Sequence, residues 1–279
     1  MALSAGRTLV LGERTLVMGV INVTPDSFSD GGQLFDASVA IEAGVKMAQD
    51  GADLIDVGGE STRPGAAPLD EAEERRRVLP VIAGLVGRVS TPISIDTYKA
   101  SIADAALSAG AALVNDISGL RYEPALAGVV ARRGAPIVLM HTRGRSQQMY
   151  EHASYVDVVA EVLDELRESM AFARTSGIPA ERIILDPGLG FAKDAVQSFE
   201  ILARFDEFAE LGRPLLAGPS RKSFLTRGTS TPAGERDWAT AAAVTAAALA
   251  GAHIVRVHAV REMLQVARVS DEIRRYHAA

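Results

Sequence analysis

The chain contains no cysteine. No disulfide framework, thiolate nucleophile or sulfur-ligated metal can therefore be built from it, and the absence fits a reducing cytosol. Long hydrophobic runs are missing as well. No apolar stretch reaches the roughly 18 residues that span a bilayer, and the alanine-rich stretch 239–252 reads as a buried helix. Residues 1–12 hold one arginine and a three-residue apolar run, so a secretory leader is not expected. The expectation is a cytoplasmic protein without membrane contact. Positive charge is in short supply: 29 Lys and Arg face 35 Asp and Glu, for a net charge of −6. Nucleic acid is disfavoured as a partner, because polyanion binders gather cations on one face. A local basic site stays open. The five histidines show no HExxH spacing, which argues against a zinc hydrolase.

What the chain does have is a regular alternation. Short apolar runs at 16–22, 54–58, 92–96, 113–116, 136–140, 183–186, 214–217 and 253–258 are separated by segments of helical period, such as 36–50, 69–85, 155–176 and 260–276. Eight such units in 279 residues, with 48% hydrophobic and 23% charged residues, predict an α/β protein. The expected architecture is a (β/α)8 TIM barrel folded as one domain over 1–279. A doubly wound open sheet is the competitor, but no glycine-rich fingerprint follows the first run. Residues 8–14, turning at Gly12 and Glu13, are expected to form a small N-terminal β-hairpin that closes the barrel's bottom.

Nearly every predicted strand ends in a polar or glycine-rich group: Asn22, Gly58 to Glu60, Asp96, Asn115 and Asp116, His141, Asp186 to Gly188, Ser220 to Lys222, and Arg256 to His258. Charge on strands buried on both faces is costly unless a partner or ligand satisfies it, so this repetition at one end marks a site. Arg256 and His258, two residues apart, share a face. With Arg63 and Lys222 they offer a cationic pocket for a di-anion such as pyrophosphate. The competing reading is that Arg256 and Lys222 merely pair with Asp96 or Asp186. Asp186, Asn115 and Asp96 present acceptors that suit an aminopterin or purine edge, or alternatively a hard cation. The loops at 22–32 and 58–65 are polar and glycine-rich, the first a candidate lid and the second a candidate phosphate contact through Thr62 and Arg63. His258 alone among the histidines is placed for chemistry. Trp238 is expected in the core, the run 71–77 on a solvated helix face, and Asp56 as a buried acid bonded to backbone.

Read in order, the segments 18–32, 51–65, 94–97, 114–116, 186–191, 220–222 and 256–258 resemble the dihydropteroate synthases, folate-pathway enzymes that sulfonamides target. The similarity spans nearly the whole chain. It implies a TIM barrel that joins 6-hydroxymethyl-7,8-dihydropterin diphosphate to p-aminobenzoate, with Mg²⁺ as cofactor and a homodimer as assembly. It further implies a pterin pocket of Asp96, Asn115, Asp186 and Lys222 with Met140 and Phe191 nearby, and Asn22 as the protein ligand of Mg²⁺. Thr62, Arg63, Arg256 and His258 match the diphosphate set, and Phe28, Pro64 and Ser220 match contacts to p-aminobenzoate. Asp96, Lys222, Arg256 and His258 are the expected catalytic residues. Leu189, Ala192, Ala259 and the segment 142–145 depart from the common pattern. A pterin-binding methyltransferase on the same barrel, or a pterin-binding paralogue without turnover, are the rival readings. Neither gives the cation set a purpose.

Overall fold

The computed structural model describes residues 1–3, 7–24, 37–62, 65–226 and 230–277. Among them strand and helix alternate strictly: β1 (Leu16–Asn22), α1 (Ala37–Gln49), β2 (Leu54–Gly58), α2 (Glu71–Val86), β3 (Ile93–Asp96), α3 (Ala100–Ser108), β4 (Leu113–Asp116) and α4 (Ala125–Arg133). The second half repeats the scheme with β5 (Ile137–Met140), α5 (Val158–Thr175), β6 (Ile183–Asp186), α6 (Ala195–Ala203), β7 (Leu216–Ala217), α7 (Asp237–Leu249), β8 (Ile254–Val257) and α8 (Val260–His277). Seven consecutive parallel pairings run β6-β5-β4-β3-β2-β1-β8-β7. An isolated parallel bridge between Leu185 and Leu215 brings β6 to β7 and closes the ring. No helix of the described residues is long and apolar enough to cross a membrane.

Helix boundaries follow from local chemistry. Asp70 accepts hydrogen bonds from the backbone N–H groups of Ala72 and Glu73 at the start of α2, and Asp157 does the same for Val159 and Ala160 at α5. Asp194 and Gln197 close a reciprocal cap on α6.

The strand period of two decides what enters the lumen. One apolar cluster takes Val17, Ile21, Ile55, Val57, Ile93, Ile95, Val114, Ile137, Ile183 and Val255, the residues that face the helices. A second takes Leu16, Met18, Leu54, Leu113, Val138, Ile184, Leu216 and Ile254, the alternate positions that fill the barrel. Two residues further along each strand, on the same inward face, stand Asp56, Asn115, Met140, Asp186 and Arg256, with Gly218 just past β7. Asp96 joins them by the parity of β3. A polar layer thus sits directly on an apolar floor.

The floor is sealed by the chain's N-terminal segment, in a way that corrects the sequence expectation. The antiparallel contact joins residues 1–3 to 7–9, through an Ala2–Thr8 bridge, Leu3 N–H donating to Arg7 O (2.8 Å) and Leu9 N–H to Met1 O (2.8 Å). Residues 8–14 do not pair on themselves; Gly12, at φ +97°, only bends the chain toward β1. Burial decides the pairing, because Leu3 and Leu9 both join the lumen cluster. Leu9→Ala is expected to cost about 2–5 kcal/mol, the range for a buried leucine truncated to alanine, read as a lower urea midpoint without loss of site geometry.

Two further expectations are revised. Trp238 is 88% exposed, because α7 buries Thr240, Ala243, Val244, Ala247 and Ala248, and position 238 lies on the opposite face of that stripe. Along α2, Glu73 and Arg76 are a solvated pair, but Glu74 is buried and ion-paired to Lys99.

Candidate active site

At the C-terminal mouth of the barrel, Arg256 on β8 reaches across to two acids. Its Nε donates to Asp56 Oδ2 at 2.6 Å and its Nη2 to Asp96 Oδ2 at 2.7 Å. Asn115 on β4 also donates to Asp56 Oδ2, at 2.8 Å. Asp56 is therefore bonded to side chains of the mouth, which corrects the expectation of a backbone role. Opposite, Asp186 ends β6 and accepts from Gly188 N–H at 2.7 Å. Gly218 lies between the two sides: a Cβ built there would be in van der Waals contact with both, 3.8 Å from Asp186 Oδ2 and 4.0 Å from Arg256 Cβ. Lys222 lies with its Nζ 3.5 Å from the centre of the Phe191 ring, and Met140 and Phe191 share a small apolar cluster. The result is a slot with acids and an amide on its edge and apolar groups on its walls.

Burial dominates the electrostatics here. It pushes the Asp96 carboxyl up to about 7 against the pull of Arg256, and Asp186 up to about 6 against its bond from Gly188. It pushes the Lys222 ammonium down to about 7, with Arg256 adding to the effect. Both carboxylates hold protons far more readily than surface acids, and such perturbed groups in a cleft mark functional sites.

Beside this slot stands a second group. Asn22, at the end of β1, places its Nδ2 3.3 Å from His258 Nε2, and His258 Nδ1 lies 2.8 Å from Ser220 Oγ. With Asn22 donating to Nε2, the ring proton sits on Nδ1 and Ser220 Oγ accepts it. Burial, then Arg256, Arg221 and Lys222, push the His258 imidazole down to about 4. His258 is thus a neutral hydrogen-bonding group at pH 7, and Arg256 is already engaged by two carboxylates. Of the two sequence readings of this pocket, a cationic one and one of cations paired with strand-end acids, the Arg256–Asp96 pair bears out part of the second, and the pocket is a mixed array. Thr62 is half-buried on the loop after β2. Phe28, Arg63 and Pro64, with the rest of the candidate lid from Pro25 on, lie outside the described residues.

Two supporting networks escaped the sequence reading. Lys193, fully buried, donates to His141 Nδ1 (2.8 Å), Phe191 O (2.9 Å) and Gly188 O (3.2 Å). His141 Nε2 lies 3.1 Å from Glu165 Oε2. Burial and then Lys193 push His141 down to about 3, so it braces β5 against the β6 loop as a neutral ring. On the other side Lys99 joins Glu60 Oε2 (2.6 Å), Leu69 O (2.8 Å) and Glu74, while Tyr98 donates to Glu60. Gly65 N–H donates to Ser146 O at 3.0 Å, so the loop carrying Thr62 is pinned at both ends. The signal in the sequence was the burial cost of a lysine a few residues past a strand end, but the side-chain partners of the two lysines lie 25 to 52 residues away.

Among the described residues no group of three or more His, Cys, Asp or Glu side chains converges as a metal site. The donor set nevertheless fits Mg²⁺ held largely by substrate. Such an ion takes one or two protein oxygens and completes its shell with waters and phosphate oxygens, and Asn22 Oδ1 is available beside the histidine.

A (β/α)8 barrel with a ring slot and an adjoining polar niche at the C-terminal ends of its strands is an enzyme's architecture. Comparison with known proteins gives the class a name. A family model described as pterin binding enzyme matches residues 18–258. A dihydropteroate synthase of Synechocystis is 46% identical over 273 residues, covering 97% of this chain and 94% of that protein. The Xanthomonas albilineans dihydropteroate synthase solved with 4-aminobenzoic acid superposes with a TM-score of 0.90 at 42% identity, covering 97% of this chain and 96% of that one. The same enzyme in complex with 7,8-dihydropteroate gives a TM-score of 0.87 at 39% identity, with 97% of each chain covered. The chain belongs to the pterin-binding enzymes and, within them, to the dihydropteroate synthases.

Proposed function

We propose that the chain condenses 6-hydroxymethyl-7,8-dihydropterin diphosphate with p-aminobenzoate, releasing 7,8-dihydropteroate and pyrophosphate. The observation that carries this reading is the inward polar layer of Asp96, Asn115 and Asp186 beside Lys222 and Arg256, set on an apolar floor. A pterin edge carries an amino group and a ring N–H, which the three acceptors match. By the family resemblance the diphosphate is assigned to Thr62, Arg63, Arg256 and His258, and p-aminobenzoate to Phe28, Pro64 and Ser220.

The chemistry needs leaving-group stabilisation more than a base. The methylene carbon sits next to an electron-rich ring, so its C–O bond to diphosphate breaks first and Asp96 balances positive charge on the ring. Mg²⁺, held by Asn22 and phosphate oxygens, would supply positive charge to the departing group. The aniline nitrogen, neutral at pH 7, then forms the C–N bond and sheds its proton to solvent. The cysteine-free composition fits a cytoplasmic location. A homodimer is supported by apolar side chains left exposed on the packed pair α7 and α8: Trp238, Leu249, Val269, Ile273 and Tyr276.

Pyrophosphate release from the two substrates with Mg²⁺, measured with and without chelator, tests the reading. Tight pterin binding without product would promote the paralogue without turnover. Because burial holds Asp96 at about 7 and Asp186 at about 6, pterin affinity is expected to fall as pH drops from 8 through both values. It should weaken by about tenfold per unit for each acceptor carboxylate that has taken a proton; titration calorimetry across pH 4.5–8 checks this.

A further inference from the structure

We propose that Asp56 is a positioning residue that fixes which way Asn115 presents its amide to the ring slot, so that the slot selects a ring edge that donates over one that accepts. The inference rests on the pterin reading of the mouth.

Asp56 is wholly buried and lies in register between Val20 of β1 and Ser94 of β3. One carboxylate oxygen, Oδ2, receives both Asn115 Nδ2 and Arg256 Nε, at 2.8 and 2.6 Å. Its other oxygen is buried with no hydrogen-bond partner among the described residues. Nothing else therefore competes for the side chain, and its interactions all point up toward the slot.

A carboxylate only accepts hydrogen bonds, so the amide of Asn115 must turn its nitrogen toward Asp56. The amide oxygen is then left for the slot. Rotating the amide by half a turn would set its oxygen against Asp56 Oδ2 and leave the NH2 group without this partner, in a place where an unpaired polar group is costly. The same oxygen holds Arg256, whose Nη2 binds Asp96. Asp56 thereby keeps the slot's edge an array of acceptors, formed by Asn115 Oδ1, Asp96 and Asp186. A 2-amino-4-oxopteridine meets that array with donors. A 2,4-dioxopteridine, with a carbonyl in place of the amino group, meets it with an acceptor.

The test is the affinity ratio of pterin to lumazine, measured by calorimetry on the full chain at pH 7. Wild type is expected to prefer pterin by tenfold or more. In Asp56→Leu, which keeps the branching and the number of side-chain heavy atoms but removes the acceptor, the ratio is expected to fall threefold or more, because the Asn115 amide is free to turn. In Asp56→Asn, whose carbonyl oxygen can take the place of Oδ2, it should stay within threefold of wild type. A fall of less than threefold in Asp56→Leu, or an equal fall in both variants, overturns the proposal. A wild type that binds neither ring overturns the pterin reading itself. Should Asp56→Leu not fold, the wild-type protein still decides. Its Asn115 side-chain amide protons, followed by NMR after asparagine labelling, should exchange at least a hundredfold more slowly than a free amide. Faster exchange removes the clamp.

Discussion

Arg256→Met is expected to give a folded but crippled protein that regains stability as the pH falls. Arg256 is the shared partner of Asp56 and Asp96, and Asp56 has no exposure to solvent. Removing the cation leaves two carboxylates facing each other in the barrel. Breaking a buried ion pair from one side costs about 3–5 kcal/mol. The sign follows from Asp96, whose carboxyl burial already raises against the pull of Arg256, so that without the cation the folded state holds its proton still more tightly than the unfolded chain does. The loss is therefore full at pH 8 and shrinks as pH drops through the raised folded value of Asp96, which urea unfolding at pH 8 and pH 5 will read. Activity should fall by about 10² to 10³, the scale for losing one preorganised electrostatic contact. A diphosphate-bearing reactant analogue that binds this variant as well as wild type would remove Arg256 from the leaving-group site.

A second large effect is expected from a single methyl group. Gly188 follows Asp186 and Pro187 with φ at +73°, and a Cβ there would fall 2.0 Å from His141 O. The backbone must move, and in moving it pulls Asp186 off the Gly188 N–H and opens the carbonyl set around Lys193. Gly188→Ala is expected to cost more than about 4 kcal/mol, a range reserved for such mechanisms. Gly190→Ala is the control. Gly190 shares the same φ, but its nearest neighbours would be at 3.5 Å, so only the left-handed penalty of about 1–2 kcal/mol remains. Thermal unfolding of the pair separates collision from backbone strain; equal losses would mean that the His141 contact relaxes freely.

Much of the barrel was legible because two local rules govern it. Strands buried on both faces read as short apolar runs, and helices carry an apolar stripe and, at three starts, an aspartate cap, so elements were placed within a few residues. The polar strand ends also made Asp96, Asn115, Asp186 and Arg256 visible at one mouth, and strand parity put Arg256 and His258 on one face. Asp56 obeys the same parity, two positions after Leu54, yet its role stayed hidden because it depends on how β2 registers against β4 and β8 across the lumen. Lys193 and Lys99 were illegible for a related reason: their side-chain partners, His141 for the one and Glu60 and Glu74 for the other, stand on other elements. Trp238 was misplaced because an alanine-rich helix carries too little contrast for its buried face to be read by eye. The N-terminal pairing failed where turn signals at Gly12 and Glu13 were weighed above the need of Leu3 and Leu9 for cover.

Thr15, just before β1, gives its backbone N–H and its hydroxyl to the two carboxylate oxygens of Asp271 in α8, each at 2.8 Å. That clasp joins positions 256 residues apart in the chain. During synthesis the early strands must wait, with their inner leucines uncovered, until the final helix has been made. Such remote pairings slow folding, since the loop they close spans 256 residues. A ribosome stalled shortly before Asp271 would hold an unlatched chain, and chaperone dependence should be concentrated in that interval.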